Sequence, residues 1–201
     1  MCGIAGIMTR DGSAPPAEVL DALAGALAHR GPDGHGRHVD GDVGLIQTRL
    51  AIIDLETGDQ PIAAKGPDGN EAVLVANGEI YNYVEVKLDL GRVPFKTRSD
   101  CEVPLQLYLR EELAFTDHLR GMYAIAIHDR ARDRLILTRD PFGIKPLYFT
   151  QSGSAFAFAS EPHWRRPASM RTRGTRCCRC SFPAAGKHPS PESNGCCRAK
   201  P

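Results

Sequence analysis

The chain has 201 residues, of which 42% are hydrophobic and 24% charged, with a formal net charge of +1. That length buries the core of one ordinary domain, and the composition excludes a fibrous or largely disordered chain. No apolar run is long enough to span a membrane and no signal peptide is recognisable, so a soluble cytoplasmic protein with no membrane partner is expected.

The near-neutral total hides a division. Residues 1–161 carry 16 basic and 23 acidic side chains, net −7, whereas residues 162–201 carry nine and one, net +8. The cysteines divide in the same way: Cys2 and Cys101 lie in the body, and Cys177, Cys178, Cys180, Cys196 and Cys197 in the tail. Two scattered thiols in the body fit a reducing compartment.

In chain order, residues 3–8 form a Gly-spaced apolar strand. Ser13 to Pro16 opens a helix whose Val19, Leu20, Leu23 and Leu27 share one face. Arg30 to Gly36 is dense in turn formers. Val43 to Ile53 reads as a strand pair or one bent strand, and Asp54 to Pro61 as a loop. Ala72 to Ala76 is a short buried strand. The Asn77-Gly78 that follows it is, on local grounds, a hairpin turn. A weak helix is expected over about 82–90. A further helix starts near Ser99-Asp100-Cys101-Glu102, capped by Ser99 or Asp100. Strands follow over Met122–His128, Leu135–Thr138, Leu147–Thr150 and Ala155–Ala159. Few helices among many strands, without βα alternation, predict an α+β fold with antiparallel sheets.

Residues 162–201 lack apolar periodicity and read as a disordered basic tail, the product of a reading frame lost near residue 162. The spacing of its cysteines with His188 matches no zinc framework, so no metal site is assigned. Without interleaved aromatics or a fold, the tail is not read as a nucleic-acid partner.

Chemistry begins at Cys2. Trimming of Met1 would leave a thiol and a free α-amine on one residue, so nucleophile and proton acceptor come together without a histidine.

Six stretches then fall in an order that resembles the class II glutamine amidotransferases, N-terminal-nucleophile hydrolases, and above all the glutaminase domain of asparagine synthetases. They are Met1 to Ile7, Arg30-Gly31-Pro32-Asp33-Gly34, Arg49 to Leu55 with Gln60-Pro61, Asn77-Gly78-Glu79-Ile80-Tyr81-Asn82, Arg98-Ser99-Asp100, and Arg139 to Tyr148. The resemblance covers about residues 2–161. It implies a four-layer αββα sandwich, two antiparallel sheets between helices, that hydrolyses glutamine to glutamate and ammonia. It implies Cys2 as nucleophile, with the Asn77 side chain and Gly78 N–H as donors to the oxyanion. It implies Arg49 on the glutamine carboxylate, the stretch Leu50, Ile52 and Ile53 lining the pocket, and Glu79 and Asp100 on the ammonium. Asp33 and Gly34 would shape a loop over the pocket, and Arg139 to Pro146 a turn facing a second domain.

Two departures bear on activity. Residue 101 is Cys where the family often has Thr, which reads as packing rather than a second nucleophile. The synthetase half with its Ser-Gly-Gly phosphate loop is not found in the sequence. No cofactor is therefore expected for this chain, ATP and magnesium belonging with the synthetase half that would be its partner. The alternative reading is an inactive or unstable truncated remnant.

Overall fold

The computed structural model describes residues 1–162 and 180–183. Ten strands and three α-helices occur among them: β1 (Gly3–Thr9), α1 (Ala17–Leu27), β2 (Gly34–Asp40), β3 (Val43–Arg49), β4 (Ile62–Lys65), β5 (Glu71–Ile80), α2 (Tyr83–Leu90), α3 (Glu102–Glu111), β6 (Gly121–Asp129), β7 (Arg134–Arg139), β8 (Tyr148–Gln151), β9 (Ala155–Ala159) and β10 (Cys180–Pro183). They form two five-stranded sheets, β2-β3-β1-β9-β8 and β10-β7-β6-β5-β4, in which every paired strand is antiparallel.

Side chains alternate across a strand, and this period sorts the core into three layers. Ile4 and Met8 of β1 face inward onto Leu45, Val75, Ala126 and Phe158, between the sheets. Ala5 and Ile7, one residue out of phase, meet Leu20, Leu23 and Leu27 of α1 on the outer side of the first sheet. Leu74, Ala76 and Ile80 of β5 pack with Val86 of α2 and with Val103, Leu107 and Tyr108 of α3 outside the second sheet. The order helix, sheet, sheet, helix is the four-layer sandwich expected from the sequence.

Several local expectations are corrected. Asn77-Gly78 is not a hairpin turn. It lies inside the ten-residue β5, with Asn77 opposite Ala124 and Gly78 opposite Tyr123. Pairing along the whole of β6 overrides the dipeptide's turn preference. Glycine is needed at 78 because β6 runs so close: a Cβ there would stand 2.2 Å from the Met122 carbonyl oxygen. Gly34 to Gly36 is strand rather than turn, and the chain after Arg49 leaves the sheet instead of continuing as a strand. Gly36 is matched to a crossing segment, since its Cβ would lie 1.7 Å from the Gln60 carbonyl oxygen. Neither Ser99 nor Asp100 is the N-cap of α3. That position is Cys101, with no side-chain cap bond.

The disordered-tail reading falls mostly on residues 163–179 and 184–201, which lie outside the described residues. Within the tail, Cys180–Pro183 pairs with β7, a strand the sequence reading did not anticipate. Among the described residues, no helix is long and apolar enough to cross a membrane.

Candidate active site

Strand parity gathers the candidate residues. Gln47 and Arg49 share the inward face of β3 with Leu45, and Asn77 and Glu79 share the inward face of β5 with Val75. Cys2 precedes β1 in phase with the inward Ile4. These residues therefore converge at one end of the gap between the sheets. The cavity there is open to solvent, and Cys2, Arg49, Leu50, Ile52, Ile53, Asn77, Gly78, Glu79 and Asp100 all line it. The structure thus brings together the nine residues to which the resemblance gave a catalytic or glutamine-binding role, whereas Asp33 and Gly34 do not line the cavity.

Cys2 is half-buried. The Leu50 N–H donates to its Sγ at 3.4 Å, and Sγ is also 3.4 Å from the Leu50 carbonyl oxygen. Its own carbonyl oxygen accepts from Arg30 Nε at 2.9 Å, and Arg30 Nη1 pairs with Glu161 at 2.5 Å. The loop that includes Leu50 is held in turn by Asp33, whose carboxylate accepts from the Ala51 N–H at 2.9 Å. The Arg30-to-Gly34 motif therefore positions both the thiol and the backbone beside it.

Asn77 is buried, and its Nδ2 has no hydrogen-bond partner. A buried amide donor left unpaired costs free energy unless a ligand completes it. The edge of β5 supplies a second donor. Tyr81 N–H donates to Arg120 across the ladder, so the alternation turns the N–H groups of Ala76, Gly78 and Ile80 away from β6. Ala76 N–H is bonded to Gln60 Oε1 at 2.6 Å, and Ile80 N–H to Asp100 Oδ2 at 2.7 Å. The Gly78 N–H lies between them on the cavity edge. Asp100 thus spans from the start of α3 to β5 rather than capping its helix.

Arg49 is buried, with Nη1 on Asp59 at 2.7 Å and Nη2 on the Asp54 carbonyl oxygen. Asp59 is 83% exposed, so its carboxylate can swing into water and leave the fork to another. Cys101 is buried in the helix-side core, and burial first, then Asp100 and Cys2, push its thiol well above the ordinary range. Its side chain packs in that core and also borders the cavity.

Gln47, which sequence reasoning missed, also lines the cavity, as do Gln60 and Lys145, which belong to the ordered motifs but were given no role in the pocket. Gln47 is buried, with an unpartnered Nε2; its position two residues before Arg49 on an inward-facing strand was a usable signal. Lys145 is buried, its Nζ 3.9 Å from Met1 Sδ. It is placed by a turn in which Asp140 accepts the N–H groups of Phe142, Ile144 and Lys145. Nothing in the local sequence shows that this turn reaches the cavity.

A family model described as "Glutamine amidotransferase domain" matches residues 1–172. The chain is 44% identical over 166 residues to "Asparagine synthetase [glutamine-hydrolyzing] 2" of Bacillus subtilis, covering 80% of this chain and 22% of the relative. It is 38% identical over 167 residues to "Probable asparagine synthetase [glutamine-hydrolyzing]" of Schizosaccharomyces pombe, covering 80% and 29%. The chain thus spans about a quarter of the length of these relatives. Among solved structures, the glutamine phosphoribosylpyrophosphate amidotransferase of Bacillus subtilis has the same fold, with a TM-score of 0.65 at 24% identity over 80% of this chain and 42% of that one.

Proposed function

This chain belongs to the glutamine amidotransferase domain family, and on that premise we propose that residues 2–161 hydrolyse the side-chain amide of free glutamine. Removal of Met1 exposes the Cys2 α-amine. The Cys2 sulfur attacks the amide carbon while the amine takes the thiol proton and delivers it to the leaving nitrogen. A thioester forms and ammonia leaves. Water then splits the thioester, giving glutamate and the free thiol. Asn77 Nδ2 and the Gly78 N–H receive the oxyanion. Arg49 exchanges Asp59 for the substrate carboxylate, whose two oxygens suit its fork. Glu79 and Asp100 take the ammonium, and Leu50, Ile52 and Ile53 line the pocket.

The single observation that carries this reading is the buried, unpartnered Asn77 Nδ2 in the cavity that holds Cys2. In the parent enzyme the ammonia would pass to a synthetase half using ATP and magnesium to make asparagine. Phe142, Ile144, Ile52 and Leu55 are exposed apolar residues on or next to the segments that line the cavity, and such a patch suits a partner domain. Free thiols at Cys2 and Cys101 suit the cytoplasm. The test is glutamate release from L-glutamine by wild type and by Cys2→Ala; equal release would refute the reading.

A further inference from the structure

We propose that a divalent transition-metal ion binds His38, Asp40 and His128 and fastens the two sheets together away from the Cys2 cavity. His38 and Asp40 are two residues apart on β2, so their side chains share a face. Their cross-strand partners are Leu45 and Val43, both in the layer between the sheets. His128 shares the phase of Ala124 and Ala126 on β6, which belong to the same layer. Ligands from both sheets therefore meet in the gap. Asn77 stands opposite Ala124, four residues before His128, so the set lies roughly 13 Å along β6 from the oxyanion donors.

The geometry and chemistry suit such an ion. His38 Nε2 and His128 Nδ1 are 3.2 Å apart, close to the roughly 3.3 Å between tetrahedral nitrogens about 2.0–2.1 Å from zinc. One donor atom from each of the three residues lies within 4.8 Å of the others. Two imidazoles and a carboxylate match zinc, cobalt or nickel, and are a poor set for calcium or magnesium, which take oxygen. One Asp40 oxygen pairs with Arg130 at 2.7 Å, but Arg130 is 75% exposed and the carboxylate has a second oxygen. Glu71 acts on His38, and Asp42 and Asp129 on His128, so acidic groups surround the pair. The competing account is two neutral imidazoles sharing one hydrogen bond.

The experiment uses tag-free, full-length protein stripped of metal and titrated with Zn²⁺ and Co²⁺. One equivalent should bind and raise the melting temperature, on the order of 5 °C at a hundredfold excess over Kd. The Co²⁺ spectrum should show nitrogen and oxygen ligation without thiolate charge-transfer bands, which separates this site from the tail cysteines. His38→Gln should abolish the shift. Asp40→Asn should weaken binding by more than the roughly 10- to 100-fold typical of losing an outer-shell partner. Both positions are only half-buried, and metal-free melting of each variant checks its fold. An absent shift, an equal shift in the variants, or a thiolate spectrum would overturn the proposal.

Discussion

Arg30 donates its Nε proton to the Cys2 carbonyl oxygen at 2.9 Å while its Nη1 pairs with Glu161. One guanidinium therefore ties the nucleophile's backbone to the chain just after β9. The Arg30 hydrogen bond, then that of His29, holds the Glu161 carboxyl below its ordinary range of about 4.5 despite some burial. A depressed folded pKa gives stability that is present above the unfolded value and lost as pH falls through the folded one. Glu161→Gln should therefore flatten the fall in melting temperature below about pH 4.5. An unchanged acid limb would contradict the link.

Arg49→Lys keeps the charge and removes the fork. With a hydrogen bond to a charged group at about 1.5–3 kcal/mol, kcat/KM for glutamine should fall roughly 10- to 150-fold, mostly through KM. Asp59→Asn should leave kcat near wild type and lower KM, because the competing carboxylate is gone. Steady-state kinetics with both variants checks the exchange; a raised KM in Asp59→Asn would argue against it.

Asn77→Ala removes the unpartnered donor. The expected loss is about 10²–10³ in kcat with KM little changed. A change confined to KM would assign Asn77 to ground-state binding instead.

Gly78→Ala forces a methyl group against the Met122 carbonyl. Such overpacking typically costs about 1–3 kcal/mol. The melting temperature should drop by several degrees, on the scale of about 2–4 °C per kcal/mol for a chain of this size. Wild-type melting would mean that β6 yields easily at this point.

The candidate site was largely legible in the sequence because its residues occupy short ordered stretches: Cys2 at the start, Arg49 at the end of one buried strand, Asn77 to Glu79 within another, Asp100 before a helix. Their convergence in one cavity needed the structure, since strand parity alone does not say how two sheets face each other. Asn77-Gly78 misled because the dipeptide favours a turn in isolation, whereas partner-strand pairing decides its conformation. The strands β2 and β4 went unread for related reasons. Gly36 in β2 makes room for Gln60 rather than marking a turn, and the four residues of β4 are too few to show a period. The place of Lys145 in the cavity was invisible because a turn held by Asp140 carries it to a site distant in sequence.

The central claim is that Cys2, freed of Met1, attacks the glutamine amide. Mass spectrometry of the purified chain, paired with its rate of glutamate release, tests it most directly. The account predicts a chain beginning at Cys2 that releases glutamate, and a folded Cys2→Ala variant that releases none above background. Glutamate release at the wild-type rate from Cys2→Ala, or from a chain that retains Met1, would contradict it.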